Sequence, residues 1–175
     1  STFSAGMTSA MTVSGPGSIP TSAATWAAAR WLSPVASTGR IPAFDLATGL
    51  PDWTERDGAM SPVLVAGGSV FAVNDQAQLI RLDAANGGRV WAQKLPYFTR
   101  QVVRKQDKVW NHYGPVLAGN KLYLAGSDGY LRVFDPASGA LIGTADIPGG
   151  AAAAPAVAGQ TLYVVTHDGQ LIAYR

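Results

Sequence analysis

Cysteine is absent from these 175 residues, and histidine occurs only twice, as His112 and His167. Without thiols there is no disulfide framework and no thiolate metal site, and the redox compartment stays open. Two histidines with no third and no neighbouring thiolate do not complete a metal set. Charge is scarce too. Lys and Arg number 13 against 11 Asp and Glu, a formal net charge of +2. That balance is too weak to argue for a nucleic-acid surface, so no nucleic-acid partner is expected. No apolar run approaches the length of a membrane span. What is plentiful is apolar: 47% of the residues are hydrophobic, enough for a packed core rather than disorder.

Within that background one phrase repeats. Ala43-Phe44-Asp45-Leu46-Ala47-Thr48-Gly49, leading to Trp53, returns as Arg81-Leu82-Asp83-Ala84-Ala85-Asn86-Gly87, leading to Trp91. It returns again as Val133-Phe134-Asp135-Pro136-Ala137-Ser138-Gly139. Other fragments align around it. Ser61 to Phe71 matches Gly114 to Tyr123 and Ala154 to Tyr163; Ser127 to Phe134 matches His167 to Tyr174 and Ser37 to Phe44. Each unit reads strand, Gly turn, strand, Asp-Gly turn, strand, Asp-x-x-x-Gly turn, strand. Glycine marks the turns because it reaches positive φ without steric cost, and Val, Leu, Tyr and Phe fill the runs as half-buried strands require. The turn aspartate is expected to accept bonds from the amides of its own turn. Repeats at roughly 40-residue spacing indicate a propeller or solenoid, and four strands per unit is one propeller blade.

The expected fold is therefore all-β, a propeller of about four four-stranded blades over 1–58, 59–95, 113–148 and 149–175, with an insertion at 96–112. Blade one is the least regular, with an inner strand at Ala10 to Ser14, an Ala/Ser/Thr-rich insertion from Ser18 to Arg30, and a short helical turn around Trp26 to Arg30. Trp26 and Trp31 lie outside the motif and stay unassigned between core and surface. Blade four stops at Arg175 after its third strand, lacking an outer one. The chain opens at Ser1 without an initiator Met or signal peptide, as a processed or truncated product would. Half of an eight-bladed ring is expected, because rings of seven or eight blades need on the order of 300–350 residues. A homodimer of two half-rings is the other way to cover the apolar faces such a half would expose.

The phrase Ala43-x-Asp45-x-x-Thr48-Gly49-x-x-x-Trp53 resembles the tryptophan-docking motif of PQQ-like (quinoprotein-type) repeats. The second copy keeps Asp83, Gly87 and Trp91 but has Asn86 for Thr. The third keeps Asp135 and Gly139, with Ile142 or Gly143 near where Trp would stand. The resemblance covers roughly Ser33 to Arg175. Within the superfamily, Tyr113-Gly114-Pro115-Val116-Leu117-Ala118-Gly119, Ile147-Pro148-Gly149-Gly150 and Gly169-Gln170-Leu171-Ile172-Ala173-Tyr174-Arg175 look most like the BamB-type outer-membrane assembly lipoproteins of alphaproteobacteria. That resemblance implies an eight-bladed, non-catalytic periplasmic scaffold at the outer membrane. It implies anchoring by an N-terminal lipidated Cys upstream of these residues, and the barrel-assembly protein as partner. No cofactor is implied. The alternative is a fragment of a PQQ-dependent dehydrogenase.

The residues weigh against that alternative. Such chemistry needs Ca²⁺ on oxygen ligands, a general-base carboxylate and an aromatic floor under the quinone, and the family commonly sets a vicinal Cys pair over it. Here the acids Asp45, Asp83, Asp128, Asp135 and Asp168 sit in repeat turns, and repetition argues for structure because a catalytic residue is needed once. Trp53 and Trp91 recur at one repeat position, as indoles packed between blades would. Gly149-Gly150 is followed by neither Gly-Lys-Ser/Thr nor a helix, so a blade-to-blade linker is the better reading than a phosphate loop. No nucleophile-elbow pattern is present. His167 precedes Asp168-Gly169 in a hairpin turn and is expected in solvent. The functional candidate is the insertion, where Tyr97, Phe98, Arg100, Arg104, Lys105, Lys108 and Trp110 interleave basic and aromatic side chains, as protein interfaces do. A plain solvated hairpin is the competing expectation.

Overall fold

The structure is a computed structural model, and it describes residues 30–32, 39–45, 47–99 and 108–175. The described residues form four antiparallel meanders in chain order. The first is β1 (Arg30–Leu32), β2 (Ile41–Asp45) and β3 (Pro51–Glu55). The second is β4 (Leu64–Ala66), β5 (Ser69–Val73), β6 (Gln78–Asp83) and β7 (Arg89–Lys94). The third is β8 (His112–Ala118), β9 (Lys121–Gly126), β10 (Tyr130–Phe134) and β11 (Leu141–Asp146). The last is β12 (Ala156–Ala158), β13 (Thr161–Val165) and β14 (Leu171–Tyr174). The all-β architecture expected from the repeats is thus present. The expected inner strand at Ala10 to Ser14 and the Ser18 to Arg30 insertion lie outside the described residues, save Arg30. That residue belongs to β1, not to a helical turn.

Each Asp-x-x-x-Gly phrase folds into the same hairpin. The backbone N–H of Gly49, Gly87 and Gly139 donates to the carbonyl of Asp45, Asp83 and Asp135, each at 2.8 Å. The Asp carboxylate accepts from within the turn: Ala47 and Thr48 amides onto Asp45 at 2.9 Å, Ala85 onto Asp83 at 2.7 Å, Ser138 onto Asp135 at 2.9 Å. One residue before each Asp the ladder shifts register, at Ala43/Phe44, Arg81/Leu82 and Val133/Phe134. A bulge recurring at the same place sharpens the twist of every outer hairpin.

The core lies between the sheets. β5 is buried on both faces. Its Val70 and Ala72 join Ile41, Ile80 and Leu82 against the first sheet. Its Phe71 and Val73 join Leu79, Leu122, Leu124 and Phe134 against the third. A further cluster of Ala125, Leu131, Ile147, Leu162 and Val164 joins the third sheet to the last. Because strand side chains alternate faces, a sheet with neighbours on both sides reads as a continuous apolar run. Outer strands such as β7 and β11 instead alternate exposed and half-buried residues.

Tryptophan locks one sheet onto the next. The Trp53 indole N–H donates to the Ala84 carbonyl at 2.9 Å, and a Cβ on Gly87 would meet that ring at 2.5 Å. Trp91 repeats this one sheet on, donating to Pro136 O at 3.2 Å with its ring 2.7 Å from a Cβ on Gly139. Glycine is needed at 87 and 139 both for positive φ and for ring approach. Gly49 has the same backbone but, among the described residues, nothing within 4 Å of such a Cβ. The third copy departs from the pattern. Trp53 stands opposite Ala43 and Trp91 opposite Arg81, and the residue opposite Val133 is Gly143. The Tyr174 hydroxyl instead ties the last sheet to the third, donating to Asp146 O at 2.6 Å.

A candidate docking hairpin between the second and third sheets

The longest connection runs from Leu95 to Asn111, between β7 and β8. Leu95 is buried with the apolar cluster of the second and third sheets, and its amide donates to Ala77 O at 2.9 Å. Beyond it residues 96–99 and 108–111, the described ends of an arm, run antiparallel. Phe98 bridges Val109 antiparallel, Thr99 N–H donates to Lys108 O at 3.1 Å, and Trp110 N–H to Tyr97 O at 2.8 Å. The described ends of the connection are thus paired antiparallel, and they carry Tyr97, Phe98 and Trp110. Tyr97 packs against the core edge, and its ring lies 4.7 Å from that of Phe98 at 60°. Phe98 and Val109 are 39% and 40% exposed. Trp110 is half-buried and Lys108 exposed. Arg100, Arg104 and Lys105 lie outside the described residues.

The return strand enters the third sheet at His112, whose importance the sequence did not signal. The side chain is buried, and its Nε2 lies 2.7 Å from the Pro96 carbonyl. A carbonyl only accepts, so Nε2 carries the proton and Nδ1 is the bare nitrogen. Nδ1 is the one buried side-chain N or O without a hydrogen-bond partner among the described residues. Opposite His112 in the ladder is Gly126, where a Cβ would collide with the Asp128 carboxylate. Asp128 and Arg132 form a largely buried ion pair, with Arg132 Nη1 3.1 Å from Asp128 Oδ1 and a second, shorter contact through Nη2. Burial first, then the Arg132 charge, hold the His112 pKa below its ordinary value, against the opposing pull of the Pro96 bond and of Asp128. A histidine at a strand start is common in any sequence; only the fold shows what surrounds it.

The remaining singled-out acids and His167 lie in turns, and Asn74 and Arg89, which the sequence did not mark, hold a turn and a sheet contact. Asp128 is in the β9–β10 turn, and His167 and Asp168 lie exposed in the β13–β14 turn. Asn74 caps the β5–β6 turn, accepting from the Gln76 and Gln78 amides and donating to Asp57 at 2.9 Å. Arg89 reaches back to Glu55 at 2.5 Å and Asp57 at 2.6 Å. Among the described residues no group of three or more His, Cys, Asp or Glu is placed to hold a metal.

Stacked antiparallel meanders, joined by an indole on the next repeat's glycine turn, define a segment of a β-propeller built from PQQ-like repeats. The profile of the outer membrane protein assembly factor BamB family matches residues 32–93 and 99–175, and the chain belongs to that family. Among curated relatives, the BamB of Alkalilimnicola ehrlichii is 28% identical over 78% of this chain and 33% of its own length. That of Legionella pneumophila is 24% identical over 76% of this chain and 32% of its own. The chain spans about a third of the length of these relatives. The crystal structure of BamB from Moraxella catarrhalis superimposes with a TM-score of 0.62 at 22% identity, over 78% of this chain and 44% of that one, a likeness of fold.

Proposed function

We propose that this chain is part of a non-catalytic periplasmic scaffold for outer-membrane β-barrel assembly, and that the arm between β7 and β8 docks a protein partner. The partner is the barrel-assembly protein of the same membrane. The observation that carries the reading is an arm rooted in the core at Leu95 that carries Phe98 and Val109 partly exposed beside Tyr97 and Trp110. Rigid aromatics offer contact area at little entropic cost, and Arg100, Arg104 and Lys105 in the same connection supply charge for an acidic counterpart. The family of outer membrane protein assembly factors to which the chain belongs supports the reading. The test replaces residues 98–109 by Asn-Gly, a two-residue turn that suits strands paired at Tyr97 and Trp110. Binding to the periplasmic domains of the barrel-assembly protein should fall at least about tenfold, since hot-spot loss exceeds about 1.4 kcal/mol. Full affinity without the arm would sink the assignment.

A further inference from the structure

We infer that His112 is a positioning residue that pins the arm to the third sheet through its bond to Pro96, and that acid releases the pin. The inference rests on reading this arm as the docking element, and says what holds it at its root. His112 and Pro96 lie on opposite sides of the connection, one where the chain leaves the second sheet and the other where it enters the third. Their 2.7 Å contact closes the arm beneath the Tyr97–Trp110 pair. No other side chain joins these two ends by a hydrogen bond among those described.

The imidazolium can still donate from Nε2, so acid acts on the pin through the cost of burying the added charge. With Nε2–H spent on Pro96 O, a second proton must go to Nδ1, which is buried and faces no acceptor. The charged groups about it are Asp128, from the β9–β10 turn, and Arg132, from β10; the arm itself contributes the Pro96 carbonyl. Asp128 is already committed to Arg132, so it offers the imidazolium little, and the guanidinium opposes it. Opening the arm returns the ring to water, where its pKa is about 6.5. The open state therefore binds the extra proton more readily, and falling pH favours opening.

Hydrogen exchange at the Thr99 and Trp110 amides reads the pin directly, because both are donors across the arm. After correction for the intrinsic pH dependence of exchange, their protection should fall as pH drops from 7.5 to 5, by at most about tenfold per pH unit for one linked proton. The Ala72 amide on β5 should not follow, which separates local opening from global unfolding. His112→Gln keeps a donor near Nε2 and cannot titrate. It should hold protection within about twofold of the parent at pH 7.5 and show no pH profile. His112→Phe keeps the volume without the donor and should be poorly protected at every pH. A flat profile in the parent, or a Gln variant as unprotected as the Phe variant, overturns the inference. Loss of the docking reading shows elsewhere, as undiminished partner binding once residues 98–109 are replaced, and leaves these profiles unchanged.

Discussion

At the scale of single residues, the glycine turns separate backbone strain from packing. Gly49 and Gly87 share a left-handed conformation, with φ of 69° and 72°. Alanine in either pays about 1–2 kcal/mol for that φ. Only at Gly87 does the new methyl also meet the Trp53 ring, which its bond to Ala84 O holds in place. Gly87→Ala should therefore cost about 2 kcal/mol more than Gly49→Ala, the scale of overpacking, measured by denaturant unfolding. Equal costs would mean the ring yields freely. The turn carboxylates give a second test. The Ser138 side chain, then its amide, hold the Asp135 pKa below its ordinary value, with smaller help from Ala137 and Arg81 and against slight desolvation. Ser138→Ala should move that pKa up, visible in a carboxylate NMR titration. A carboxylate with a depressed pKa stabilises the fold above its unfolded pKa, and that contribution is lost as pH falls through the folded value.

At the scale of elements, an aromatic side chain latches each sheet to the next by a hydrogen bond to a backbone carbonyl over an apolar interface. Two latches are tryptophans; the third is Tyr174, because Gly143 stands at the tryptophan position of β11. Tyr174→Phe keeps the ring and loses the bond to Asp146 O, so the last sheet should loosen by about 1 kcal/mol. Faster exchange confined to β13 and β14 would register it, and an unchanged pattern would show the hydroxyl contributes nothing. The bridge from Arg89 to Glu55 and Asp57 also crosses between sheets, but Arg89 is a third exposed. Arg89→Ala should change stability by less than about 1 kcal/mol, and less still in high salt.

At the scale of the whole molecule, stability should be graded along the stack. β5 is buried on both faces, whereas on the last sheet Val165 and Leu171 are 44% and 65% exposed. Amide exchange is expected to be slowest in β5 and fastest in β14, since local opening follows buried apolar contact. Leu122→Ala, in the interface of the second and third sheets, should cost about 2–5 kcal/mol. Uniform protection across all four sheets would instead mean that they open as one unit.

The fold was legible in the sequence because its determinants are local and recur. Asp45, Asp83 and Asp135 with their glycines each close a hairpin using atoms a few residues apart, so three copies announce three hairpins. Trp53 and Trp91 were readable for the same reason, as repetition marks a structural post. The missing tryptophan was only half readable. Ile142 and Gly143 were both in play, and the strand register, shifted at Val133/Phe134, put Gly143 in the place. The arm was visible as an interruption of the repeat, with its aromatics and bases. His112 was not, because nothing in its neighbours along the chain encodes burial. Its partner Pro96 is sixteen residues away, and Asp128 and Arg132 come from another turn and strand. The amino-acid order by itself determined the repeat, its turns and the two tryptophan latches, whose bonds form within a hairpin or between equivalent positions of successive repeats; the Tyr174 latch came only with the packed sheets. Tertiary packing alone decided which histidine lost its water, because desolvation depends on what the stacked sheets bring together, not on sequence neighbours.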